Sequence, residues 1–173
     1  IARACHVDLL PGQITPPRAD YDADCAPDRH LWNLCRQRLP DHYGAGRATK
    51  ARKQLTQEIR TISDLDLSEF FLVVREAVAA AQERGIRCAG RGSAANSIVA
   101  YLLDITSVDP LEHNLLFERF LHRGQQGTPD IDIDFDSDRR DEIIEWMERR
   151  FGIEQTAMTA TLITYKLRSA LRD

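Results

Sequence analysis

Residues 128–135 read Thr-Pro-Asp-Ile-Asp-Ile-Asp-Phe, and the alternation of acid and apolar side chains decides how the rest of the chain is read. Period two is the signature of a strand with two unlike faces. Ile131, Ile133 and Phe135 point one way, toward a core. Asp130, Asp132 and Asp134 line the other, with neighbours roughly 6.5–7 Å apart. Like charges so spaced repel, and a bound divalent cation offsets the repulsion because hard cations take carboxylate oxygens. Two such carboxylates can share two ions that clamp both oxygens of a phosphoryl transfer. Taken alone, the stretch is better read as an acidic edge strand whose charges deter aggregation, and it is the rest of the chain that favours the metal.

Upstream, a short strand over Ile86–Ala89 runs into Gly90-Arg91-Gly92-Ser93-Ala94-Ala95-Asn96-Ser97, and the apolar run Ile98–Leu103 continues as a helix. Strand, glycine turn and helix start form a phosphate cradle, because amides at a helix start carry partial positive charge and glycine lets an anion approach them. Ser93 adds a hydroxyl donor and Arg91 a charged one. The terminal lysine of the P-loop is missing, as is the full dinucleotide fingerprint.

The remaining elements are mostly helical. Asp28 is expected to cap a helix over His30–Leu39 that stops at Pro40, with Trp32 anchoring it. A second helix, Ala48–Ile62, buries Leu55, Ile59 and Ile62 and exposes Lys50, Arg52, Lys53 and Arg60. The third, Glu69–Arg84, has Ser68 as cap and Gly85 at its end, with Phe70, Phe71, Val74, Ala77, Val78 and Ala81 at helical spacing. Leu115–Leu121 reads as a short amphipathic helix bearing Glu118 and Arg119. Asp138 is expected to cap Arg139–Phe151, which turns Ile143, Ile144, Met147 and Phe151 inward. A last strand is expected around Ala157–Ile163.

The 173 residues suit one domain, and 43% apolar content allows a core. The first residue is Ile1 and the last lie in an apparent helix, so the chain reads as an internal piece of a longer protein. Net charge is -4, yet basic residues crowd 29–60 while Asp130–Glu145 is acidic. That asymmetry hints at a polyanion, though solvated helix faces often look the same. Cys5, Cys25, Cys35 and Cys88 lack zinc spacing and read as free thiols of a reducing cytoplasm. No run approaches a membrane span, and no signal peptide is visible.

The glycine turn and the acidic strand occur in the order found in the palm of nucleotidyltransferases related to DNA polymerase beta. Three stretches extend the match: Gly90–Ala95, Leu115-Leu116-Phe117-Glu118-Arg119-Phe120-Leu121, and Pro129–Phe135 with Arg139-Arg140-Asp141-Glu142. Together they closely resemble the palm of bacterial C-family DNA polymerases, the alpha subunit of DNA polymerase III. Asn96-Ser97 and Thr161-Leu162-Ile163-Thr164-Tyr165 before Arg168-Ser169-Ala170 are similar to the error-prone branch.

The resemblance implies a mixed α/β fold, an incomplete polymerase-beta-like nucleotidyltransferase palm with a helical N-terminal part. It implies the end of a nuclease-like (PHP) domain and linker at 1–20, palm at 21–161 and the start of a thumb at 162–173. It makes Asp130 and Asp132 catalytic and metal-binding, holding two Mg2+ ions, and gives Asp134 a supporting role. Gly92 and Ser93 would hold the incoming triphosphate, with Arg91 and Arg119 as phosphate contacts. Arg119 could instead pair with Glu118 or Glu112, and Arg139 and Arg140 could either support the aspartates or lie on a helix surface. A third aspartate, a lysine and the fingers would lie beyond this chain, leaving it inactive alone. The implied activity is templated DNA synthesis in replication or error-prone repair. Implied partners are primer-template DNA, deoxynucleoside triphosphates, a sliding clamp and damage-response accessory proteins, in the cytoplasm and away from membranes. The rivals are a non-templated nucleotidyltransferase and a non-catalytic module that binds DNA or a partner. A sugar transferase with Asp-x-Asp would not call for Gly-Arg-Gly-Ser.

Overall fold

The computed structural model describes residues 25–124 and 129–159. Among them the chain is mixed α/β, with five α-helices and one two-stranded antiparallel sheet. Helices α1 (Pro27–His42), α2 (Ala45–Asp64) and α3 (Ser68–Glu83) pack on one another and on the five-residue α4 (Ile98–Leu102). Their shared core holds Leu31, Leu55, Ile62, Phe71, Ile98 and Leu102. Burying such side chains contributes about 1.5–3 kcal/mol each relative to leaving them in water.

Strands β1 (Cys88–Arg91) and β2 (Asp132–Phe135) pair antiparallel, Cys88 opposite Phe135 and Arg91 opposite Asp132. The expected alternation holds: Ile131, Ile133 and Phe135 are half-buried while Asp130, Asp132 and Asp134 are exposed. Ile131 and Ile133 lie against the main core. Phe135 joins a second cluster of Ala81, Ile86 and Ile143, which docks α5 (Arg140–Phe151) beneath the end of the sheet. Gly152 ends α5.

Several boundaries differ from the sequence expectation. The first helix runs through Pro40 to His42: the proline gives up the amide bond to the carbonyl four residues back, and burial of Leu39 and Tyr43 on either side offsets that loss. Asp28 is not its cap. Pro27 starts the helix, and Asp28 accepts hydrogen bonds from the Ser63 (2.6 Å) and Ser68 hydroxyls. Ser68 is therefore spent on Asp28, and Leu67 holds the cap position of α3.

The first strand starts two residues later than expected and includes Gly90. Leu115–Leu121 is not an α-helix. It makes a single 3-10 turn, Phe117–Arg119, because Phe117 and Phe120 close edge-to-face on each other while Phe120 also meets Phe71 (6.0 Å between centroids). Asp138 caps nothing; the residue before α5 is Arg139, and Asp136 accepts the Asp138 amide (3.2 Å). Of the expected last strand, residues 157–159 are irregular, and the remainder lies outside the described residues with 1–20 and 162–173. Cys25, Cys35 and Cys88 are free, and burial pushes the Cys35 thiol up to about 12, which keeps it inert.

Candidate functional site

The glycine-rich stretch builds differently from a strand running straight into a helix. β1 ends at Arg91, a 3-10 turn covers Gly92–Asn96, and Ser97 then caps α4 by accepting the Ala100 amide (3.2 Å). The amino end of α4 is already filled. Glu58, 1% exposed on the core face of α2, accepts from the Ser97 hydroxyl (2.8 Å), the Val99 amide (3.3 Å) and Gln54 (2.9 Å). The α4 terminus is thus closed to an outside anion, which corrects the cradle expected there. The 3-10 turn itself remains open, with Gly92 and Ser93 exposed.

Two glycines hold this turn in place for separate reasons. Gly90 donates its amide to the Ile105 carbonyl at 2.7 Å, so close that a β-carbon would sit 2.3 Å from that oxygen. Gly92 has φ +71°, a conformation side chains with a β-carbon disfavour, and a β-carbon there would lie 3.5 Å from Asp132 Oδ2. The turn therefore lies against the carboxylate of the acidic strand.

Paired residues of an antiparallel ladder share a face. Arg91 and Asp132 are one such pair, Ala89 and Asp134 the next. Arg91 Nε reaches diagonally to Asp134 Oδ1 at 3.1 Å, both side chains being about two-thirds exposed. Asp134 is thus occupied by Arg91, whereas Asp130 and Asp132 make no ion pair among the described residues. The Phe117–Arg119 turn packs beside Gly92–Asn96 and carries Arg119 on its exposed side. Neither acidic neighbour takes Arg119: Glu112 lies 4.0 Å from Arg47 and Glu118 accepts from Gln57.

Arg139 and Arg140 do not support the aspartates. Arg139 forms a two-pronged pair with Glu142 (2.7 and 2.8 Å) and donates to the Arg84 carbonyl, and Arg140 meets Asp141 at 3.6 Å. Beyond β2, the Asp138 amide and then Arg87 hold the Asp136 carboxyl below its usual range.

No group of three His, Cys, Asp or Glu among the described residues is arranged to hold a metal ion. Asp130 and Asp132 nevertheless fit Mg2+ in kind, since that ion is commonly held by one or two carboxylates plus substrate phosphates.

Glu58 is the residue that sequence reasoning passed over, although a signal was there. It falls in the same stripe as Leu55, Ile59 and Ile62, so helical spacing turns it inward. Burial pushes its carboxyl up to about 7 against the pull of its donors. The folded state thus binds a proton more readily than the unfolded chain, whose glutamate titrates near its ordinary value. The resulting stabilisation is fully present below pH ~4.5 and is lost as pH rises through ~7. Stability should fall by about 2–3 kcal/mol between pH 5 and 8. Urea titrations across that range check this, and Glu58→Gln should flatten the profile; an equally steep profile in that variant would remove Glu58 as its source.

The model of one protein family, the bacterial DNA polymerase III alpha NTPase domain, matches residues 29–173. The chain belongs to this family. Among curated relatives of this polymerase III alpha segment, an error-prone DNA polymerase of Methylococcus capsulatus is 44% identical over 161 residues, covering 90% of the chain and 15% of the relative. The error-prone DNA polymerase of Pseudomonas aeruginosa is 42% identical over all of the chain and 17% of its own length. That of Ralstonia nicotianae is 48% identical over 131 residues, 76% of the chain and 12% of the relative. The chain therefore spans about a sixth of the length of the Methylococcus and Pseudomonas relatives.

Proposed function

We propose that the chain is palm from an error-prone C-family DNA polymerase, and that its sheet carries half of the nucleotidyl-transfer centre. The observation that carries the reading is the nearness of Gly92 to the Asp132 carboxylate, which would lie 3.5 Å from a β-carbon at Gly92, beside the Arg91–Asp132 pair. A turn able to grip a triphosphate and a strand able to hold its metal ions then share one exposed face. Membership of the polymerase III alpha family and the names of the relatives support the chemistry.

In this reading Asp130 and Asp132 hold Mg2+ through carboxylate oxygens. When bound, the metal lowers the pKa of a primer 3′ hydroxyl and neutralises charge on the leaving pyrophosphate. The amides of Gly92 and Ser93, with the Ser93 hydroxyl, take the oxygens of the incoming triphosphate. Arg91 and Arg119 add positive charge beside it. Asp134 keeps Arg91 extended along the strand, and Glu58 fixes the turn from behind by tying Ser97 and α4 to α2. The chain's contribution is position and field, which is where most of the rate of phosphoryl transfer arises. Residues 21–161 form the palm portion, 1–20 the end of a nuclease-like domain and 162–173 the start of a thumb. The whole protein works in the cytoplasm on primer-template DNA and deoxynucleoside triphosphates, with a sliding clamp and damage-response proteins as further partners. No helix among the described residues is long and apolar enough to cross a membrane.

Primer extension by the full-length protein on two templates of different sequence tests the function. A templated polymerase changes its product with the template. An identical product on both would favour a non-templated nucleotidyltransferase, and no extension would favour a binding module.

A further inference from the structure

A cavity of about 680 Å³ lies between α2 and the Phe117–Arg119 turn with the segment after it, lined by none of the acidic-strand residues. A second, about 290 Å³, shares Lys53, Gln57, Phe117 and Glu118 with it, so the two make one trough along α2. Lys50, Lys53, Gln57 and Arg60 recur at intervals of three and four, which places them on one stripe of the helix. From Lys50 to Arg60 the stripe rises about 15 Å, close to four nucleotide steps of one strand in a duplex. Lys50, Lys53 and Arg60 are exposed and make no ion pair among the described residues. Arg123 adds a fourth positive charge at the trough's end, where Asp64 holds it at 2.5 Å. Glu118 is the one exposed acid in the lining of either cavity.

Three uncompensated cations on one helix face repel one another, and a chain of net charge -4 does not need them for solubility. Their spacing suits a ligand with repeated negative charge. The trough's far wall, the Phe117–Arg119 turn, also packs against Gly92–Asn96, so a strand lying in it leads toward the glycine turn. We propose that the α2 trough is a track for the phosphate backbone of DNA, with Lys50, Lys53 and Arg60 each meeting a phosphate. The choice of DNA over another polyanion rests on the polymerase reading above; the track itself rests on charge and shape. These residues hold the strand by its backbone and carry no base specificity.

The test uses the full-length polymerase and a fluorescent primer-template without nucleotide, its Kd followed by anisotropy from 50 to 300 mM salt. Each duplex phosphate contact contributes about 0.9 to the slope of log affinity against log salt. The triple variant Lys50→Ala, Lys53→Ala, Arg60→Ala should lower that slope by about 2–3 and weaken binding by roughly tenfold or more at 100 mM salt. Glu118→Lys, which adds a charge to the same trough, should steepen the slope by about 1. A triple change of Arg36, Arg140 and Arg149 on other helices should leave it unaltered. The track is overturned if the α2 triple keeps the wild-type slope and Kd, including the case in which that variant instead loses binding to poly-glutamate, which would point to an acidic protein. It is equally overturned if the control triple matches the α2 triple. Asp132→Asn separates the two readings: unimpaired extension by that variant would end the catalytic assignment and leave the salt slopes to decide the track alone.

Discussion

Asp132→Asn in the full-length enzyme should lower the single-turnover rate of nucleotide incorporation by about 10³-fold or more, equivalent to ~4 kcal/mol of barrier. The amide keeps the shape of the side chain and removes the negative oxygen that a hard cation needs. Asp132 is exposed, so no buried partner is stranded and the fold should stay intact by circular dichroism. Asp130→Asn should cost a similar amount. Asp134→Asn should cost far less, of the order of tenfold, since its partner is Arg91 and its loss frees a guanidinium without removing a ligand. The ranking matters more than any one rate. Near-normal incorporation by Asp132→Asn, or a loss at Asp134 as deep as at Asp132, would mean that the acidic strand does not hold the metal as assigned.

Gly90→Ala should destabilise the protein by about 3–4 kcal/mol, a large loss for one methyl group. A β-carbon 2.3 Å from the Ile105 carbonyl oxygen meets backbone, which cannot swing aside as a side chain would. Either β1 or the segment after α4 must retreat. Retreat breaks the 2.7 Å Gly90–Ile105 hydrogen bond and leaves a carbonyl without a donor. Because Gly90 is also paired with Ile133, movement of β1 shifts the glycine turn relative to Asp132. Urea unfolding of full-length Gly90→Ala should show the loss directly, and a variant within 1 kcal/mol of wild type would show that the contact relaxes freely.

Much of this was legible in the chain, for physical reasons that can be named. Alternation of Asp and Ile over 130–135 reads as a two-faced strand; Asp132–Phe135 form it, Asp130 and Ile131 lie just before it, and exposure follows the alternation throughout. Apolar spacing in α2 and α3 likewise located their buried faces. Register could not be read, because β1 and β2 are four residues each and stand about forty residues apart, joined by no tight turn. The nearness of Gly92 to Asp132 depends on that register. Leu115–Leu121 misled because its aromatic residues gain more from meeting Phe71 than from completing a helix. Arg139 and Arg140 misled because acids within their own helix were nearer than the strand. Glu58 shows the opposite case, an acid at an apolar position whose spacing alone announced its burial.

The two flanks of the sheet are also unlike. One flank of β1 is sealed by the Ile105 carbonyl, while β2 has no neighbour on its outer side among the described residues. A strand added to this sheet would pair along β2, and alternate side chains of it would stand beside Asp132 and Asp134. The sheet can therefore widen on the β2 side alone, the side on which its edge hydrogen-bonding groups are open among the described residues.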